Sequence, residues 1–140
     1  MSLDRAWDDV RAFHAAFNHP AADAPTLLDA QSAERRAAWI EEEAQELREA
    51  TTLEEQADAF IDVIYFAVGG LVNLGVRPGP LWDIVQSANM AKLWPDGRPR
   101  HRDSDGKVIK PDGWEDPGPK LAAEIRRQLA EAGARRMAAE

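Results

Sequence analysis

Residues 52–75, TLEEQADAFIDVIYFAVGGLVNLG, decide the fold. Thr52 with Glu55 three residues on is a capping-box spacing, in which a hydroxyl and a carboxylate satisfy the first free N–H groups of a helix. Gly75 is the matching stop. From Ala57 onward the stretch is apolar on nearly every face, the pattern of a buried helix at the centre of a bundle. Gly69-Gly70 would cost about 1 kcal/mol each in an exposed helix, so a close helix–helix approach is expected there. Asp62 stands in this run among apolar neighbours, and a buried ionised carboxylate costs several kcal/mol unless something compensates it.

Helical spacing extends to both sides of this segment. Leu3, Trp7, Val10, Phe13, His14 and Phe17 mark a first helix over residues 3–17, ended by Asn18-His19-Pro20. A second helix is expected from Leu27 to Ala50, with Thr26 and Asp29 at its start and an apolar stripe of Leu27, Ala30, Ala33, Ala37, Ile40, Ala44 and Leu47. Pro78-Gly79-Pro80 opens a fourth helix running to Leu93, with Leu81, Trp82, Val85, Ala88 and Leu93 facing inward. The Pro/Gly-rich, charged segment 94–120 then forms a small hairpin or an ordered loop, and residues 120–138 are helical by propensity. The expected fold class is all-α: a single domain over residues 1–140, a four-helix unit whose core is about 27–93, with a loop at about 94–120 and a C-terminal helix.

Composition narrows the function. The 140 residues carry 25 acidic and 17 basic side chains, a net charge of -8, which argues against a nucleic-acid-binding surface. There is no cysteine, so disulfides, thiolate zinc sites and cysteine nucleophiles are excluded. His14, His19 and His101 are scattered, against a histidine–metal site. Trp7, Trp39 and Trp82 read as core or interface residues. The N-terminus has no apolar signal core, and Phe60–Leu74 is broken by Asp62 and Asn73 and is short for a bilayer, so a cytoplasmic protein without a membrane partner is expected.

The carboxylates carry the chemistry. After Glu49 no Lys, Arg or His occurs until Arg77, yet Glu54, Glu55, Asp58 and Asp62 lie in that interval. Asp58 and Asp62, four apart, share one helix face and repel each other unless a cation intervenes or one is protonated. The preceding helix offers Glu41, Glu42, Glu43 and Glu46, and a short turn would bring this patch opposite Asp58 and Asp62. An all-oxygen set of four or five carboxylates suits Mg²⁺ or Mn²⁺. The competing readings are a solvated acidic helix face and an Asp62 bonded to a distant Trp, Tyr or Arg.

Glu42-Glu43-x-x-Glu46 followed by Asp62 in an apolar run resembles the MazG-like all-α nucleotide pyrophosphohydrolases, which include the dimeric dUTPases and the phosphoribosyl-ATP pyrophosphatases and use an ExxE…ExxD motif. Residues 36–47, RAAWIEEEAQEL, resemble the first motif; 58–65, DAFIDVIY, the second; and Asn89-Met-Ala-Lys92 a third. The segment Asp105-Gly-Lys-Val-Ile-Lys110-Pro with Gly113-Trp114 is similar to the tail of a subgroup labelled Cof-like phosphohydrolase. The resemblance spans about residues 30–120. One departure is Ala59 where ExxD places Glu, with Asp58 one residue earlier.

The resemblance implies Mg²⁺-dependent cleavage of a nucleoside triphosphate, dUTP or another non-canonical dNTP among the candidates, to monophosphate and pyrophosphate, as house-cleaning of the nucleotide pool. It implies Glu43, Glu46 and Asp62 as metal ligands, with Asp58 a further or water-mediated one, and Mn²⁺ as a substitute ion. Glu42, about 100° round the helix, is the candidate to activate the attacking water. Asn89 and Lys92 would hold phosphates; Lys107 and Lys110 would close over them or form an ordinary basic loop; Trp114 would stack on a base or anchor the tail. A homodimer, or a dimer of dimers, is expected from the surplus apolar surface of the third helix. The alternatives are a phosphoribosyl-ATP pyrophosphatase and a non-catalytic helical dimer that binds metal or nucleotide.

Overall fold

The computed structural model describes residues 2–140. Its regular elements are α1 (Leu3–Ala16), α2 (Ala30–Glu49), α3 (Leu53–Leu74), α4 (Pro78–Met90) and α5 (Gly118–Ala138). The all-α expectation holds: among the described residues the hairpin candidate reduces to one antiparallel bridge, His101 to Val108, around a turn at Asp103-Ser104-Asp105.

The α2–α3 connection forms as the capping box requires. The Thr52 hydroxyl accepts from Glu55 N at 3.2 Å, and the Glu55 carboxylate accepts from Thr51 N at 2.7 Å and Thr52 N at 3.1 Å. Such a cap is worth about 1 kcal/mol. It turns the chain within three residues, so α2 and α3 run antiparallel and pack along their length. Gly75 ends α3 in the left-handed region, φ 67°, where an added Cβ would also lie 2.5 Å from Ala24 O. At the start of α2 the cap is Asp29, which accepts from Ser32 N at 2.8 Å, while the Thr26 hydroxyl donates to Ala24 O. The helix therefore begins three residues later than expected.

α3 packs against both α1 and α2, and α4 packs on α1 and α5. The tight core is small: Trp7 and Val10 of α1 against Val68 and Val72 of α3. Three expectations need correction. The N-terminal half of the expected α2 stripe is exposed, Leu27 at 91%, and the buried residue of that helix is Glu43. The middle of α3 is not covered on every side: Phe60, Ile61, Ile64 and Tyr65 are exposed, as are Trp82, Val85 and Leu93 nearby in sequence on α4 and after it. What lies against Gly69 is not a helix backbone but the Arg36 guanidinium, 2.6 Å from where a Cβ would stand, with His14 Nε2 at 3.3 Å.

By length and composition α3 would suit a bilayer, with a mean hydropathy of 1.5 in its best window. It packs against α1 and α2, and carries the two carboxylates Asp58 and Asp62 along its length.

Candidate active site

Glu43 is the centre of the carboxylate cluster. It is 8% exposed, and its Oε2 is buried without a hydrogen-bond partner. Its carboxyl is held above the ordinary range, first by loss of hydration and then by the charges of Glu46, Asp62, Asp58 and Glu42. The residues singled out in the sequence thus surround one side chain. Glu46 and Asp58 also line a common cleft of about 290 Å³ at the closed end of the α2–α3 hairpin, with Glu49 and Glu55. Sequence patterning placed the burial on Asp62, which is half-buried, and missed it at Glu43. The available signal was Trp39 one turn before Glu43 and Leu47 one turn after it, a row facing α3.

None of the ion pairs among the described residues involves Glu41, Glu42, Glu43, Glu46, Asp58 or Asp62. Nor do three or more of these groups already stand in the tight convergence of a formed metal site among the described residues. The donor set nonetheless fits a hard divalent cation. It is all oxygen, it includes an orphaned buried carboxylate oxygen, and Glu42, Glu46 and Asp58 are exposed side chains free to turn toward it.

The residues assigned to phosphate binding form a second cluster, on α4 and the loop after it. Lys92 Nζ donates to Asn89 Oδ1 at 2.7 Å. Trp114 Nε1 donates to Ala88 O at 2.7 Å, which pins the loop to α4. Lys92 and Lys110 lie 5.5 and 4.3 Å from the Trp114 ring centroid. Asn89, Lys92, Lys110 and Trp114 therefore come together, and Trp114 serves as the anchor. Lys107 does not join them; its backbone pairs with Arg102 in the turn. This cluster stands on α4 and the loop after it, whereas the carboxylates stand on α2 and α3.

A third group was not foreseen. His14 is 2% exposed and its Nδ1 donates to Pro20 O at 2.8 Å; the His14 and His19 rings are 5.4 Å apart, and His19 lies 6.3 Å from Trp39. His14 and His19 are thus neighbours, while His101 stands in the loop opposite Val108. Burial pushes the His14 pKa down, with Arg36 and His19 acting in the same direction against the Pro20 bond. The unfolded chain therefore takes up the proton first as pH falls through about 6.5, and stability is lost from there down to the folded value. The melting temperature of the wild type is expected to fall more steeply between about pH 8 and about pH 5 than that of His14→Gln. Comparing the two cancels the opposite contribution of Glu43, whose pKa is raised. Equal slopes would place the pH dependence elsewhere.

A profile of the phosphoribosyl-ATP pyrophosphohydrolase family matches residues 10–89. The chain belongs to this family. The match contains Glu42, Glu43, Glu46, Asp58, Asp62 and Asn89 and ends before the loop. Among solved structures, the chain is similar to a "putative NTP pyrophosphohydrolase" from Exiguobacterium sp. 255-15, at 38% identity and a TM-score of 0.51, over 90% of this chain and 96% of that one. No curated protein matches the chain. Family membership makes the protein a hydrolase acting on phosphoric anhydrides, with nucleotides as its substrates.

Proposed function

We propose that the protein hydrolyses a nucleoside triphosphate, with dUTP or another non-canonical dNTP as the preferred class, to a monophosphate and pyrophosphate in the presence of Mg²⁺ or Mn²⁺. The observation that carries this reading is Glu43: a buried, partnerless carboxylate oxygen ringed by Glu42, Glu46, Asp58 and Asp62, with no cationic side chain among the described residues paired to any of them. Glu43, Glu46 and Asp62 would hold the ion and Asp58 would add a ligand directly or through water. When bound, the ion offsets charge on the phosphate oxygens. Glu42, exposed beside Glu43, accepts the proton of the attacking water. Asn89, Lys92 and Lys110 hold the departing phosphates.

The functional unit in this reading is a homodimer, or a dimer of dimers. The exposed side chains Phe60, Ile61, Ile64 and Trp82 make an apolar surface far beyond scattered exposure, and Ile64 and Trp82 line one depression of about 670 Å³. In this reading a partner on that surface brings its own α4–loop cations toward the carboxylates of α2 and α3. A cytosolic nucleotide pool is the natural setting.

The test is product analysis with dUTP, other NTPs and phosphoribosyl-ATP, with and without Mg²⁺. Pyrophosphate release that requires the metal is expected. Orthophosphate as the first product, or metal-independent turnover, would overturn the mechanism. The second reading, phosphoribosyl-ATP hydrolysis, has the family match in its favour, and a clear preference for that substrate would establish it.

A further inference from the structure

The α2 face that carries Glu43 continues into a cleft away from the carboxylates. Trp39 lies four residues before Glu43 and Arg36 three before Trp39, so the three side chains form one row. At the end of that row is a cleft of about 310 Å³, with His19, Arg35, Arg36, Trp39 and Asn73 in its wall. We propose that this cleft takes the nucleobase of the substrate, and that it favours bases with a carbonyl oxygen at pyrimidine C4 or purine C6 (uracil, thymine, guanine and hypoxanthine) over those with an amine there (cytosine and adenine). The inference rests on the reading of the carboxylate cluster as the triphosphate site.

Size, shape and polarity support it. The cleft is at the small end of ligand pockets, roughly 300–1,000 Å³, so it has room for a base while the rest of a nucleotide runs outward. From Trp39 to Glu43 and Glu46 is about 6 to 10 Å along the helix, a span that fits a sugar between base and α-phosphate. Trp39 and His19 present rings 6.3 Å apart and tilted by only 26°, an aromatic wall against which a base can lie.

The polar groups of that wall are donors. Arg36 stands 4.8 Å over the Trp39 ring, gives one N–H to Asn73 Oδ1 at 2.6 Å and another to Phe66 O at 3.4 Å, and has no carboxylate within ion-pair distance among the described residues. Arg35 is in no ion pair among them either. In a chain with 25 acidic and 17 basic residues, two adjacent arginines without an acid are a local excess of donors. The Asn73 amide does not balance them, since its oxygen serves Arg36 and its N–H donates to Pro20 O at 2.6 Å. A carbonyl oxygen at pyrimidine C4 or purine C6 satisfies such a wall, whereas an amine at that position leaves donor facing donor.

The experiment combines kinetics and binding on wild type, His19→Ala, Arg35→Ala and Trp39→Phe. In pyrophosphate-release assays the wild type is expected to show a KM for dUTP and dGTP about tenfold below that for dATP and dCTP, roughly the worth of one well-placed polar contact. His19→Ala and Trp39→Phe raise the KM for dUTP roughly tenfold with a smaller change in kcat, and Arg35→Ala narrows the preference among bases. Inorganic tripolyphosphate, which has no base, inhibits all four proteins with the same constant. Unchanged KM values and base preference in the variants would overturn the proposal. Weakened tripolyphosphate inhibition in the variants would overturn it too, by placing phosphates in the cleft. If the wild type turns over no nucleotide, the hydrolysis reading fails by itself, and calorimetric titration with UMP, GMP, AMP and CMP decides the cleft. Binding of UMP and GMP that His19→Ala and Trp39→Phe lose supports the base site; binding that they keep, or none by the wild type, ends it.

Discussion

In Glu42→Gln, pyrophosphate release is expected to fall by roughly 10²–10⁴, the usual worth of a positioned acid–base group, while Mg²⁺-dependent nucleotide binding stays near wild type. The substitution keeps the size of an exposed side chain on α2 and removes only its basicity. Glu46→Gln is expected to behave differently, losing turnover together with the rise in melting temperature that divalent ions give the wild type by mass action. The contrast separates the group that takes the proton from the group that holds the ion. Full activity in Glu42→Gln would move the base to another carboxylate, with Asp58 next in line. A melting curve of the wild type that Mg²⁺ and Mn²⁺ leave unmoved at millimolar concentration would remove the metal site altogether.

The second large effect concerns the apolar surface. Ile64 and Trp82 are 51% and 60% exposed and line one depression. A lysine at the centre of an apolar interface costs on the order of 2 kcal/mol or more, about thirtyfold in dissociation constant, and twofold symmetry counts each substitution twice. Ile64→Lys combined with Trp82→Lys is therefore expected to turn a dimer into a monomer in sedimentation velocity. Under the proposed shared site, turnover is expected to fall roughly a hundredfold or more with it, because the Lys92–Lys110 cluster would no longer reach the partner's carboxylates. A wild type that sediments as a monomer at assay concentration, or a monomeric double variant with full activity, would overturn the shared site.

Much of the fold was legible where local chemistry decides it. The Thr52–Glu55 capping box, the stop at Gly75, and Pro78 at the start of α4 are signals that need no tertiary partner, and each sits where the sequence places it. Errors arose where tertiary packing chose among residues of similar pattern. Leu27 and the alanines after it look like a core stripe, but α2 turns Arg36, Trp39 and Glu43 toward α3 instead. Arginine against a helix needs space, and Gly69 supplies it: the glycine is readable in sequence, but its occupant is not. Likewise the order of the carboxylates was plain, while the identity of the buried one was hidden by a run of three glutamates in which only the helix's rotation distinguishes Glu43. The grouping of His14, His19 and Trp39 depends on the chain path after α1, where Asn18 adopts φ 57° and redirects the backbone. No periodicity in the sequence announces that bend.

The close joining of α2 and α3 also governs how the molecule assembles. Glu46 and Asp58 stand twelve residues apart with the capped turn between them. Closing so short a loop loses little chain entropy, and contacts local in sequence form early. The hairpin must then gather its negative charges, and one of the contacts opposing their repulsion is aromatic, Trp39 against Phe66 with ring centroids 5.6 Å apart. Dissolved salt screens the repulsion and leaves the aromatic contact in place. Folding of this hairpin is accordingly expected to be a step that ionic strength accelerates.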